Sequence, residues 1–456
     1  PSGSGTRLRF DNNTFPTMTN NVTAGYIIGQ LFFGSSATSA RSIGGNSVQF
    51  FEFGGTWPRI ENQSTTLHTI NFPFAASTNS GFNMELVASS GNMDFGGSAT
   101  INNNGRTVQI YGNNTATDGT NRAIRLVGVV SGSGILNVSQ FGVVKLNATH
   151  TYTGQTQIDN GELWIESAGS IAAGSSIFVG NGAQLANVTK FWISNSSGGS
   201  TVSNAITINN GNTTTRYLGG LNSSGTHTFS GAITNNSTTG GLNLSALTSG
   251  GTTTFSGVIS GGGAVITEGA GTVILSGASQ NTWTSTLTAN GTLLVLNKSA
   301  DTRAIGTGNM TIATGATVRT DANNQLGTGT PSLITINGTG IFNLNNTNQK
   351  IALASASSTA SVTLGSGTFN IDNTGTDTYA GTISGSGAVT KTNTGIEILT
   401  NTTNNYTGAT TITAGEIRLQ PSANATFASQ IVLNGGTLGT TGITATRTWT
   451  SSSTLR

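Results

Sequence analysis

The sequence predicts an all-β protein, a parallel β-helix (β-solenoid), and three observations predict it. The residues that build helices are scarce: 7% of the 456 residues are charged, whereas 65 are glycine and Asn, Thr and Ser fill the polar positions. Helices want straight-chain side chains, and Ser, Thr and Asn compete with helical hydrogen bonds. Apolar residues still make up 34% and come as short Val, Ile and Leu clusters, which a disordered Gly/Ser/Asn chain would lack. Finally, the clusters recur along the chain, the signature of a repeat architecture.

Residues 1 to about 125 have their own texture. Most of the phenylalanines lie here (Phe32, Phe33, Phe50, Phe51 and Phe95 among them), with three of the four methionines. This predicts a broader apolar core: a Phe-rich β cap or irregular first coils, the cap being favoured because terminal repeats must hide an open edge.

From residue 126 to 456 the sequence reads as a solenoid of three long copies, about 126–254, 255–378 and 379–456. Three glycine clusters align: Ser131-Gly-Ser-Gly134, Ser260-Gly-Gly-Gly263 and Ser384-Gly-Ser-Gly387. Roughly thirty residues after each comes the same strand, "GELWIES" from Gly161, "GTLLVLN" from Gly291 and "GEIRLQP" from Gly415. In that alignment Leu163, Leu293 and Ile417 share one face with Ile165, Val295 and Leu419, because side chains of a strand alternate with period two. That face is expected inside, and Trp164, Leu294 and Arg418 outside. Shorter echoes such as Phe229-Ser-Gly-Ala-Ile233 and Phe255-Ser-Gly-Val-Ile259 return every 20 to 30 residues or so, about one coil. One coil's few inward aliphatics cannot offset the entropy of ordering it. Stacking supplies the rest, so the expectation is a rod of roughly 15 to 18 coils, about 70 to 90 Å long at ~4.8 Å per coil.

The run "SGSGAVTKTNTGIEILTNTTNNYTGATTITAGEIRLQ" (Ser384 to Gln420) closely resembles the autotransporter-associated β-strand repeat. Matching positions include Gly385, Gly387, Lys391, Gly395, Tyr406, Thr407, Gly408, Thr410, Ile412 and Gly415. The first copy keeps Tyr152-Thr153-Gly154, and the second has Trp283 with one residue fewer before its strand glycine. The resemblance covers about two thirds of the chain strongly and the N-terminal part more loosely. It implies a secreted or surface-displayed bacterial β-helix, with display or adhesion as its role and no catalytic residues to carry over. The C-terminal run does not read as the membrane-barrel module that anchors such passengers, so a released passenger, or a chain that never used one, is expected.

At the N-terminus, Arg7, Leu8, Arg9 and Phe10 alternate, with Leu8 and Phe10 on one face and the arginines on the other. The C-terminal run trails off like an unfinished coil. Together these suggest a strand donated from one copy to the next, a head-to-tail contact that propagates into a homopolymeric filament. The alternative for residues 1–12 is a disordered tail.

Several chemistries are disfavoured. Ile266 stands where a dinucleotide fingerprint needs glycine after Gly261 and Gly263, and no Gly-Lys pair permits a phosphate loop. A net charge of +2 without any Lys/Arg run offers nucleic acid no footprint. Zero cysteines remove thiolate chemistry and disulfides together. No apolar run approaches ~18 residues, so neither a membrane-spanning helix nor a signal peptide is expected, and Pro1 suggests a processed or trimmed chain.

A polysaccharide-cleaving site needs two carboxylates at one cleft. The candidates from spacing are Glu162/Glu166, about 13 Å apart on one strand face, and Glu52 near Glu61. No catalytic pair, cofactor or metal is therefore expected. His68, His150 and His227 are isolated in sequence and read as surface histidines, and Asp159-Asn160-Gly161 as a turn. Tyr152, Tyr406 and Trp283 recur at one place in the repeat, where closing a corner is the simpler role than stacking sugars. Dense sequons offer Asn12, Asn21, Asn62, Asn113, Asn147, Asn187, Asn222 and Asn243 as glycosylation candidates. The function expected from sequence is a non-enzymatic subunit of an extracellular or cell-surface fibre or matrix, with a glycan- or cell-binding adhesin as the alternative and a polysaccharide lyase or hydrolase behind it.

Overall fold

A computed structural model describes residues 6–78, 81–112, 123–140, 142–180, 188–195, 198–210, 214–421, 425–427, 429–440 and 447–449. No helix occurs among them, and parallel strands stack into a β-solenoid of about 17 turns. The turns divide between two compact units, one of Pro1–Asn222 with Gly231–Leu242 and one of Ser223–Ser230 with Asn243–Arg456.

In the first unit each early coil contributes three short strands. One sheet begins Arg7–Phe10, Gln30–Phe33, Arg59–Asn62, Met84–Ala88 and Val108–Gly112. A second begins Thr17–Asn20, Arg41–Gly45, His68–Asn71 and Met93–Phe95, and a third Tyr26–Ile28, Val48–Phe50 and Phe74–Ala76. The Phe-rich stretch is therefore built as coils, with the pairing that continues beyond residue 125 through Val108–Gly112 and Leu136–Ser139. Its rings fill the wider interior: Phe74 lies 5.6 Å from both Phe50 and Phe95.

The second unit repeats the scheme. Thr226–Phe229, Thr252–Phe255, Thr272–Gly277 and Leu293–Lys298 pair in one sheet, and Val265–Glu268, Leu287–Ala289 and Met310–Ile312 in another. The rings of Phe229 and Phe255, register partners one coil apart, stack at 5.1 Å. Within the stack a strand's main-chain groups are paired by the coil before and the coil after, so no coil is complete alone.

Glycine marks the corners. Gly132, Gly261 and Gly385, one from each glycine cluster, all have left-handed φ values of 101°, 107° and 117°, a conformation in which a Cβ is strained. The clusters are turn punctuation. The three copies also reuse one corner bond. The Val130 N–H donates to His150 Nδ1 at 3.0 Å, Ile259 N–H to Asn281 Oδ1 at 2.8 Å, and Ile383 N–H to Asn404 Oδ1 at 2.8 Å.

The alternation expected for the three aligned strands holds for Leu163 and Ile165 and for Ile417 and Leu419, all buried. The middle copy differs. Leu294 and Leu296 are the register partners of Val273 and Leu275 and point inward with them, while Leu293 is only half-buried. Val295 is buried as expected, so along this strand Leu294, Val295 and Leu296 are all inside, and Leu293 and Leu294 are the two that depart from the expected faces.

Candidate functional site

The strand Arg7–Phe10 keeps the expected alternation. Arg7 donates to Gln30 Oε1 at 2.9 Å and lies over the rings of Phe32 and Phe53, while Arg9 pairs with Asp11 at 2.8 Å. On the other face Phe10 stacks on Phe33 at 5.8 Å and Leu8 is 39% exposed. The strand is not a free donor, however. It forms a parallel ladder with Gln30–Phe33 of its own chain, Arg7 opposite Gln30 and Phe10 opposite Phe33, so main-chain bonds and ring contacts retain it at home. What it leaves open is an edge. Among the described residues no strand pairs with the outer edges of Arg7–Phe10, Thr17–Asn20 or Tyr26–Ile28. These edges surround an apolar hollow of about 550 Å³ lined by Leu8, Phe10, Met18, Val22 and Tyr26.

Around the corner, the outer face of the same sheet carries a polar cleft of about 510 Å³. Register makes it: Gln30, Arg59, Glu85 and Gln109 are opposite one another on four consecutive coils. Arg59 donates from Nε to Glu85 at 2.6 Å, from Nη1 to Glu61 at 3.0 Å and from Nη2 to the Tyr111 hydroxyl at 3.2 Å. Glu61 also accepts from Ser89 at 2.6 Å and Gln63 at 3.1 Å. Burial, and then the neighbouring Glu85, pushes the Tyr111 phenol upward, so it stays protonated. Trp57 and Thr56 close one side. Sequence spacing brought only Glu61 to notice, beside Glu52. Its structural partners are Arg59 and Gln63, two residues to either side, and Ser89, one coil away.

Glu162 and Glu166 do share the outer face of Gly161–Glu166, but each is occupied. Glu162 pairs with Lys190 at 2.7 Å and accepts from Trp164, and Glu166 pairs with Arg125 at 2.6 Å and accepts from Asn147. A carboxylate pair that sequence reading missed is Asp377 and Glu397, register partners on adjacent coils. Asn373 Nδ2 donates to Asp377 at 2.9 Å, and Lys391, also buried, donates to the Thr392 and Asn393 carbonyls at 2.6 and 2.9 Å. Burial first, then Asp377, holds the Glu397 carboxyl well above the usual range, with Lys391 opposing. The available signal was a separation of 20 residues, one coil's length here.

The histidines correct the surface reading: all three are buried. His68 stacks on Phe33 at 4.2 Å, and burial, then Arg41, pushes it down to about 4. Burial alone pushes His150 down to about 4. Isolated in sequence, they are interior residues because inward strand and corner positions leave no solvent. Among the described residues no group of three His, Cys, Asp or Glu could hold a metal ion. Asp159, in the turn before Gly161, accepts from Asn137 at 2.7 Å.

Tyr152, Trp283 and Tyr406 are fully buried, where no sugar reaches them. The Tyr152 hydroxyl bonds Thr156 at 2.6 Å and Thr156 bonds Ser175 at 2.9 Å, and Tyr406, Thr410 and Ser429 repeat this at 2.7 and 2.7 Å.

Of the sequons, Asn12 and Asn21 are exposed and Asn147 is half-buried. Asn62, Asn222 and Asn243 are buried and so are not acceptors on the folded chain. Asn62, for example, donates inward to the Thr66 and Asn92 carbonyls. Asn113 and Asn187 lie outside the described residues. No helix among the described residues is long and apolar enough to cross a membrane. No family model, curated protein or solved structure matches the chain.

Proposed function

We propose that this chain is a non-enzymatic structural subunit of an extracellular bacterial surface fibre or matrix, self-associating end to end. One observation carries the reading: the outer edges of Arg7–Phe10, Thr17–Asn20 and Tyr26–Ile28 stand unpaired among the described residues around an apolar hollow. Main-chain edges of this kind take up further strands, and three at once in a triangular coil fit another coil of the same kind. The contact is therefore edge-on stacking of one coil upon another, in place of a donated tail. A contact between unlike ends propagates when its rotation does not close. The resemblance to autotransporter-associated repeats supports the extracellular setting.

The test is assembly. Purified protein should form uniform filaments under negative stain, and Leu8→Asp combined with Val22→Asp should leave single particles with an unchanged far-ultraviolet circular dichroism spectrum. Both side chains are about 40% exposed, at 39% and 40%, so the fold tolerates the change. Filaments unaltered by the double substitution, or wild-type protein that stays single at every concentration, defeat the proposal.

A further inference from the structure

We propose that the cleft on the outer face of the first sheet is a binding site for a neutral oligosaccharide lying across the coils. The inference is independent of end-to-end assembly and rests on what the parallel register places together. Gln30, Arg59, Glu85 and Gln109 line up on successive coils, about 4.8 Å apart, close to the advance of one pyranose ring along a polymer. A cavity of about 510 Å³ is in the range that holds a small organic ligand.

The chemistry of the lining selects the ligand class. The Gln30 amide is engaged by Arg7, Thr56 and Trp57, but the half-buried Gln109 and exposed Gln140 amides and the Tyr111 phenol line the cleft and offer donors and acceptors, as a polyhydroxylated ring requires. Gln109 donates to Ser139 at 3.2 Å, and the cleft also exposes its half-buried amide. Trp57, half-buried at the wall, supplies a flat apolar surface for the carbon face of a sugar. Charge argues against an anion. Glu61 and Glu85 both pair with Arg59, whose guanidinium donates to them and to Tyr111, while Arg7 donates to Gln30 and lies over the rings of Phe32 and Phe53. A phosphate or uronate would have to displace those carboxylates. The same network fixes Arg59, Glu85 and Tyr111 in place before any ligand arrives, which lowers the ordering cost of binding.

Titration calorimetry on the full chain tests this, with hexaoses of glucose, mannose, galactose and N-acetylglucosamine as neutral probes and oligogalacturonate as the anionic one. Trp57→Ala and Gln109→Ala probe the cleft, and Trp164→Ala serves as an aromatic control outside it. The expected result is binding of at least one neutral hexaose, weakened tenfold or more by Trp57→Ala and by Gln109→Ala and unchanged by Trp164→Ala. Absence of binding by all four neutral probes overturns the proposal. So does binding of oligogalacturonate alone, or neutral binding that survives both cleft substitutions in correctly folded protein.

Discussion

The buried hydroxyl chain at the repeat's corner allows two nearly isosteric substitutions to be ranked. Tyr406, Thr410 and Ser429 are all buried, and the Thr410 hydroxyl sits in the middle, 2.7 Å from each neighbour. Tyr406→Phe removes one terminal hydroxyl. Thr410 keeps Ser429, so the loss is about one net hydrogen bond, ~1 kcal/mol. Thr410→Val removes the centre. It takes from the Tyr406 phenol its Thr410 contact at a fully buried site, and from Ser429 one of its partners, although Ser429 still donates to Gly408 at 2.7 Å. Two hydrogen bonds are lost in place of one, each worth ~1 kcal/mol net, so Thr410→Val should cost roughly 2 kcal/mol. Tyr152→Phe and Thr156→Val should rank in the same order, since Thr156 holds the same central place. Urea denaturation with constant slope reads both differences as midpoint shifts. If Tyr406→Phe costs as much as Thr410→Val, or if the two copies rank differently, the chain is not what holds that corner.

Other outcomes follow from the same geometry. His150 has its affinity for protons pushed down to about 4, below its usual 6.5, so the unfolded chain binds the proton first: stability is full above pH 6.5 and is lost as pH falls towards 4. His150→Asn places the residue found at the equivalent corners, Asn281 and Asn404, and should retain neutral stability while reducing the loss between pH 7 and 4.5 by about 2–3 kcal/mol; an unchanged acid profile refutes it. Glu397 is shifted the other way, so its contribution is full below its ordinary value near 4.5 and is lost as pH rises. Glu397→Gln should therefore raise the denaturation midpoint more at pH 8 than at pH 5, and the reverse order would show the carboxylate paired and ionised inside. Leu294→Ala should cost about 2–5 kcal/mol and Leu293→Ala much less, because only the former is fully inside; equal costs would place both in the core.

The fold was legible because its causes are local and repeated. Val, Ile and Leu alternation, glycine at left-handed corners and the return of the same strand one coil later are all written in order along the chain. So were the faces of Leu163 and Ile417. Leu293 and Leu294 were not, since two adjacent leucines carry no information about face. The corner role of Tyr152 and Tyr406 could be read from their recurrence, but burial of the histidines could not, because a lone polar residue in sequence does not announce which side of a strand it occupies.

By itself, then, the sequence determined that this polymer coils and stacks. Only the tertiary structure decided which residues meet. In a parallel solenoid neighbours in space are one coil apart, and among the described residues coil length varies from 19 residues between Gly142 and Gly161 to 31 between Met93 and Ile124. Register across such unequal coils is fixed by the packing of the interior as a whole. That is why the cleft around Arg59, the buried pair at Glu397 and the home pairing of Arg7–Phe10 came into view only with the fold.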